Sequence, residues 1–214
     1  MVMVRGNASA VVVSGPSGSG KTTLVKHLMM RHPNSYFSVS TTTRPLRGEE
    51  VDGMDYRFVS REKFLEIREG GGMLEWAEVH GEFYGTPRSE VLPALEAGRH
   101  VFLDIDVQGG LQVKEALAER AWLLYVLPPD RETLERRLRG RGTEDEEKVA
   151  LRLRNAMDEL AEIPRYDAVV VNDQLGLAVN EADRLLRSLQ VNATAWLEDG
   201  GRSLLRERFG LELP

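Results

Sequence analysis

The plainest chemistry in this sequence lies in eight consecutive residues, Gly15-Pro16-Ser17-Gly18-Ser19-Gly20-Lys21-Thr22. Glycines at this spacing let successive backbone N–H groups turn inward and approach phosphate oxygens, and a helix opening directly after them adds a favourable dipole. Lys21 would neutralise the β and γ oxygens of a nucleoside triphosphate, and the Thr22 hydroxyl would complete a magnesium shell. The pattern G-x-x-x-x-G-K-[ST] carries this meaning only between a strand and a helix. Both are predicted here. Ala10 to Val13 is a short β-branched run that ends at Ser14-Gly15, and a helix is expected from Lys21 to Arg31, stopped by Pro33.

The rest of the chain supplies the frame for such a loop. His100 to Ile105, Trp122 to Leu127 and Ala168 to Val171 are continuous apolar runs of strand length. Helical patterns lie between and after them at 112–118, 130–139, 144–162 and 177–189. Strands buried on both faces and alternating with helices predict an α/β fold, a parallel sheet of the P-loop NTPase type flanked by helices. Residues 38–97 break the rhythm with half-polar segments (Tyr56 to Val59, Met73 to Val79) and a helix that Ser60 can cap, so they are expected to form a small mixed α/β insertion. A further helix is framed by Pro87 and Gly98, and Thr143 to Glu146 forms a capping-box pattern. The expected division is a core with the glycine loop at 8–37, an insertion at 38–97, core at 98–136, a helical lid at 137–162, core at 163–190 and an extension of unassigned role at 191–214.

Composition limits the class of function. A net charge of −6 lacks the broad basic surface that general nucleic-acid binding needs, so no nucleic-acid partner is expected. With no cysteine, disulfides and thiolate sites are excluded, which suits a reducing compartment. No apolar run approaches the roughly 18 residues of a membrane span. A signal peptide is not expected, because cleavage near the N-terminal Ala/Val stretch would destroy the loop. The expectation is a cytoplasmic protein with no membrane partner.

Beyond the loop, the sequence resembles the guanylate kinase family from about residue 10 to 189. The matching segments include Ser38 to Glu49 (SVSTTTRPLRGE), Asp55 to Ser60 (DYRFVS), Leu74-Glu75-Trp76-Ala77, Phe83-Tyr84-Gly85-Thr86, Leu103 to Gly109 (LDIDVQG) and Arg137 to Thr143. The resemblance implies an enzyme that moves the terminal phosphate of ATP onto GMP, and onto dGMP as well, with Mg2+ in an in-line displacement. It assigns Arg44 and Arg47, joined by Tyr56 and Tyr84, to the acceptor phosphate, where guanidinium forks and phenol donors suit a dianion. It assigns Glu75 to guanine, whose ring N1–H and exocyclic amine are adjacent donors that a carboxylate can accept. Ser40, Thr86 and Asp106 would join it on the nucleoside side. On the donor side it implies contacts to ATP from Gly15 through Thr22, from Thr23 and from Asn172, which could reach adenine or instead cap the following helix. Asp104 would orient the metal with Thr22, through water. Arg137, Arg141 and Arg152 occupy lid positions, where they would act with Lys21 and Arg44 on the phosphates in transfer. Two alternatives remain at this stage: a kinase for another small phosphate acceptor, and a non-catalytic scaffold module of guanylate-kinase-like type that binds phosphopeptides. The tail could serve a homo-oligomer contact.

Overall fold

The computed structural model describes residues 8–140, 146–189 and 206. The chain opens with β1 (Ala10–Ser14), α1 (Lys21–Arg31) and the two-residue β2 (Tyr36–Phe37). The middle stretch contributes β3 (Thr41–Thr42), β4 (Arg57–Phe58), α2 (Arg61–Glu69), β5 (Met73–Val79), β6 (Glu82–Pro87) and α3 (Arg88–Glu96). Then follow β7 (Val101–Asp104), α4 (Val107–Leu117), β8 (Ala121–Leu127), α5 (Arg131–Arg139), α6 (Glu146–Leu160), β9 (Ala168–Val171) and α7 (Leu175–Leu189).

The main sheet runs β2-β7-β1-β8-β9, every pairing parallel, with β1 at its centre. Alternation along β1 explains the two apolar layers. Ala10 and Val12 face a cluster with Val91 and Leu95 of α3 and Val107 and Val113 of α4. Val11 and Val13 face the opposite cluster, with Leu24 and Leu28 of α1 and Ala178, Val179 and Ala182 of α7. Successive side chains point to opposite faces, so a strand covered on both sides must be apolar throughout. The C-terminal ends of β1 and β7 lie side by side in this sheet, at Ser14 and Asp104. Crevices at that edge of an open parallel sheet are where ligands bind.

Residues 38–97 build the second sheet, β4-β3-β6-β5, in which β3 and β4 are parallel and the β3–β6 and β5–β6 pairs antiparallel. Its small core is Phe64, Met73 and Phe83, with the Phe64 and Phe83 rings stacked at 5.2 Å. α2 begins as expected, with the Ser60 hydroxyl accepting from the Lys63 N–H at 3.2 Å.

Two expectations need correction. A fifth core strand, β2, was not foreseen because two residues carry no readable period. The helix expected from Gln112 begins at Val107, since Asp106 caps it by accepting from the Gly109 N–H at 2.7 Å. Gly109 and Gly110 weaken the helical signal for a packing reason: a Cβ on either would come within 3.0 Å of Glu75 Oε2 or Ser14 Oγ. The capping-box residues 143–145 and the tail from Val191 lie outside the described residues, Arg206 apart. No helix among the described residues is long and apolar enough to cross a membrane.

Candidate active site

The glycine loop joins β1 to α1 with Gly15, Gly18 and Gly20 all at positive φ, +139°, +88° and +94°. Two of these also need the missing side chain for space. A Cβ on Gly15 would lie 2.4 Å from the Val126 carbonyl oxygen, and one on Gly20 would lie 2.3 Å from Asn172 Nδ2. Gly20 stands at the N-cap of α1 with no side-chain cap, so the first-turn N–H groups are left for an anion. Lys21 folds back over the loop, its Nζ donating to the carbonyls of Gly15 (2.6 Å) and Pro16 (3.1 Å). The Thr22 hydroxyl donates to Asp104 Oδ2 at 2.5 Å. Gly15, Ser17, Gly18, Gly20, Lys21, Thr22 and Thr23 all line one cavity of about 390 Å3.

A second cavity, of about 340 Å3, adjoins it. Ser40, Tyr56, Glu75, Tyr84 and Asp106, five residues assigned to the acceptor by sequence, line it together. Tyr56, Asp104, Ile105 and Asp106 line both cavities and so form their shared wall. Asp104 and Asp106 therefore stand between the two spaces, with one Asp106 oxygen committed to capping α4.

Glu75 lies in β5 opposite Thr86 of β6, just after a β-bulge, and is only 6% exposed. The Thr86 hydroxyl donates to its Oε1 at 2.6 Å. Burial raises its pKa to about 7, and the nearby Asp106 charge pushes the same way against the Thr86 hydrogen bond. Such a carboxyl is held ready for donors that would stabilise its charged form. Arg44 is also 6% exposed, with its guanidinium carbon 5.0 Å from the Tyr56 ring centre and 5.6 Å from that of Phe58. Tyr56 and Tyr84 meet edge to face at 5.9 Å. The Arg47 side chain is exposed, and the structure fixes that residue through its backbone: its N–H donates to Glu50 at 2.8 Å.

The remaining assignments fall less simply. The buried Asn172 amide donates to the Ser19 carbonyl at 2.8 Å, bracing the glycine loop from behind. The amide is drawn there because the Ser19 carbonyl is buried with it and needs a donor. Arg137 belongs to α5, and its Nη2 donates to the Asn172 carbonyl at 3.0 Å. Leu134 and Leu138 of the same helix meet Val149 and Ala156 of α6 and sit 3.4–3.5 Å from where a Gly18 Cβ would be. Arg152 lies on α6 and, like Arg137, does not line either cavity; Arg141 lies outside the described residues.

Sequence reasoning missed Glu159. It lines the loop cavity from α6, and burial raises its pKa against the opposing influence of Lys21. A signal was present: Val149, Leu153 and Ala156 mark the inward stripe of α6, and a glutamate one helical step further on breaks it. Glu50 was missed too, because an acid in a glycine-bearing loop reads as solvated.

No group of three or more His, Cys, Asp or Glu that could hold a metal occurs among the described residues. Thr22 and Asp104 nevertheless suit magnesium, which takes one or two protein oxygens and fills its shell with water and phosphate oxygens.

The sequence model of the guanylate kinase family matches residues 7–189. The chain belongs to the guanylate kinase family. It is 52% identical over 171 residues to the guanylate kinase of Nitratidesulfovibrio vulgaris, covering 80% of this chain and 82% of that protein. It is 46% identical over 194 residues to that of Anaeromyxobacter dehalogenans, covering 90% and 86%. The crystal structure of guanylate kinase from Anaplasma phagocytophilum superposes with a TM-score of 0.76 at 32% identity, over 97% of this chain and 98% of that one.

Proposed function

We infer that this chain transfers the terminal phosphate of ATP to GMP, giving ADP and GDP, with the triphosphate on the glycine loop and GMP in the adjoining cavity. The observation that carries this is the shared wall: a phosphate-cradling loop and a buried guanine-matched carboxylate open onto the two sides of Asp104-Ile105-Asp106. A GMP phosphate oxygen attacks the γ-phosphorus as the bond to the β–γ bridging oxygen breaks, and ADP leaves with that oxygen. The attacking oxygen is already anionic, so no residue need act as a general base. Positioning and charge neutralisation supply the catalysis.

In this reading Lys21 exchanges its carbonyl partners for the β and γ oxygens. Arg44, with Tyr56 and Tyr84 beside it and Arg47 following in the same loop, grips the acceptor phosphate. Glu75, with Thr86 behind it and Ser40 lining the same cavity, accepts from guanine N1–H and its amine. Adenine presents a lone pair at that ring position and leaves a buried carboxylate unsatisfied. Thr22 and Asp104 would hold Mg2+, which neutralises charge on the triphosphate when bound. Arg137, Arg141 and Arg152 approach the phosphates on closure, which excludes water. The residues assigned to GMP address its base and its phosphate, so dGMP is a substrate as well. The cysteine-free sequence is consistent with action in the cytoplasm.

A coupled ADP-release assay with GMP, dGMP, AMP, CMP and UMP tests the reading. GMP and dGMP should turn over, with AMP disfavoured by on the order of 10⁴ in kcat/KM. Failure with GMP would sink the function; equal turnover of AMP would sink only the role of Glu75.

A further inference from the structure

Arg44 does not itself line the acceptor cavity; it lies behind Tyr56, which does, and it is not a loose cation. Its Nη2 donates to Glu50 Oε1 at 2.5 Å and its Nη1 to Glu50 Oε2 at 2.7 Å, a two-pronged pair along one edge of the guanidinium. Nη1 also donates to the Pro45 carbonyl at 2.9 Å. The rings of Tyr56 and Phe58 lie near the guanidinium, and the Tyr84 hydroxyl is beside it. A guanidinium offers two edges for forked acceptors. Glu50 takes the Nη1–Nη2 edge, so the Nε–Nη2 edge is the one that this carboxylate does not occupy.

The same carboxylate does a second thing. Its Oε2 accepts from the Arg47 backbone N–H at 2.8 Å, and the Glu50 N–H returns a bond to the Arg47 carbonyl at 3.1 Å. The turn between them passes through Gly48 at φ +55°. One side chain thus fixes both the direction of the Arg44 fork and the course of the loop that carries Arg47. It also supplies a counter-charge for a guanidinium too buried to be left unpaired. The Arg44 fork and the Arg47 N–H hold the Glu50 carboxyl far below the usual range, down to about 2, so it is charged at any working pH.

We propose that Glu50 is a positioning residue for the acceptor phosphate, holding Arg44 and Arg47 in their receiving geometry before GMP arrives. The inference rests on the acceptor-phosphate reading of Arg44 and Arg47 given above. Without Glu50, the long Arg44 side chain and the 44–50 loop would have to be ordered by the ligand, which weakens binding.

Glu50→Gln separates this from its rivals. A glutamine has one acceptor oxygen, and its amide would meet an arginine N–H donor to donor, so the fork is lost while size is kept. Binding of GMP and of guanosine would be measured by calorimetry, beside the KM for ATP. The expected result is GMP affinity lower by about ten-fold, with guanosine affinity and the KM for ATP unchanged. Glu50→Asp, which keeps the charge on a shorter stem, should fall between the two. Tighter binding of GMP to Glu50→Gln would overturn the proposal, because Glu50 would then be a competitor for Arg44. Equal weakening of GMP and guanosine would overturn it as well, reducing Glu50 to a support of the whole insertion. Should Glu50→Gln fail to fold, Glu50→Asp carries the same comparison. If the wild-type protein binds GMP no better than guanosine, the acceptor-phosphate reading itself fails and takes the proposal with it.

Discussion

The two halves of the site are built in different ways. In the proposed reading the triphosphate side is a single continuous loop whose backbone groups receive the ligand, and its glycines are dictated by positive φ and by space, since a Cβ on Gly20 or Gly15 would lie 2.3 or 2.4 Å from a neighbouring atom. The acceptor side is assembled from side chains on β5, β6 and the segments around β3 and β4, each held by another side chain: Thr86 on Glu75, Glu50 on Arg44, Tyr84 against Tyr56. A backbone cradle is indifferent to which base the phosphates carry. A cavity made of matched side chains is where one base can be told from another. The donor side should therefore fail through geometry and charge at the phosphates, and the acceptor side through recognition.

The strongest way to break that division is Lys21→Ala. Removing one preorganised cationic donor from developing charge costs on the order of 10²–10³ in kcat. GMP affinity should hold, because Lys21 donates to the loop carbonyls of Gly15 and Pro16 and lines the triphosphate cavity, not the acceptor cavity. Steady-state kinetics with GMP binding measured in parallel would check this. Loss of GMP binding would mean that the two cavities work as one site.

A smaller effect tests whether the backbone cradle is braced from behind. Asn172→Ala removes the donor to the buried Ser19 carbonyl. An unsatisfied buried carbonyl costs about 1–3 kcal/mol. The KM for ATP should rise by up to about ten-fold, with the KM for GMP unchanged. Asn172→Asp keeps the size and the acceptor oxygen but cannot donate, and it should do as badly. If aspartate restores the KM, Asn172 acts on the nucleotide directly and the brace is incidental.

The same contrast explains what could be read from sequence. α1, α2 and β5 fall at the residues expected, because period and capping are local: Ser60 alone signals where α2 starts. The glycine loop is legible for a related reason, since all its ligand-facing groups are contiguous in the chain. Asn172 and Ser19 are 153 residues apart, and no local pattern joins them. Glu50 is only six residues from Arg44, yet acids in turns are usually solvated, so spacing alone could not single it out. The start of α4 was obscured by Gly109 and Gly110, which are present for close approach to Glu75 and Ser14 at the expense of helix propensity. The acceptor residues could be named ahead of the structure only through family resemblance. Their chemistry was readable one by one, but their convergence depends on the second sheet.

The finest test concerns the protonation of Glu75. Burial raises its carboxyl to about 7 from an ordinary 4.5, with Asp106 adding to the shift and Thr86 opposing it. Burial thus shifts this carboxyl toward its protonated form. This group's contribution to stability is fully present below about 4.5 and is lost as pH rises through about 7. On the proposed role of Glu75, guanine binding has the opposite sign, because two adjacent donors need the carboxylate. Affinity should therefore weaken about two-fold between pH 8 and pH 7, and about ten-fold by pH 6. The GMP phosphate itself titrates near 6, so guanosine is the better probe, used as a competitive inhibitor across the same range. A flat guanosine profile would show that Glu75 is ionised throughout, and that the acceptor cavity is pre-charged for its base as fully as the glycine loop is preformed for phosphate.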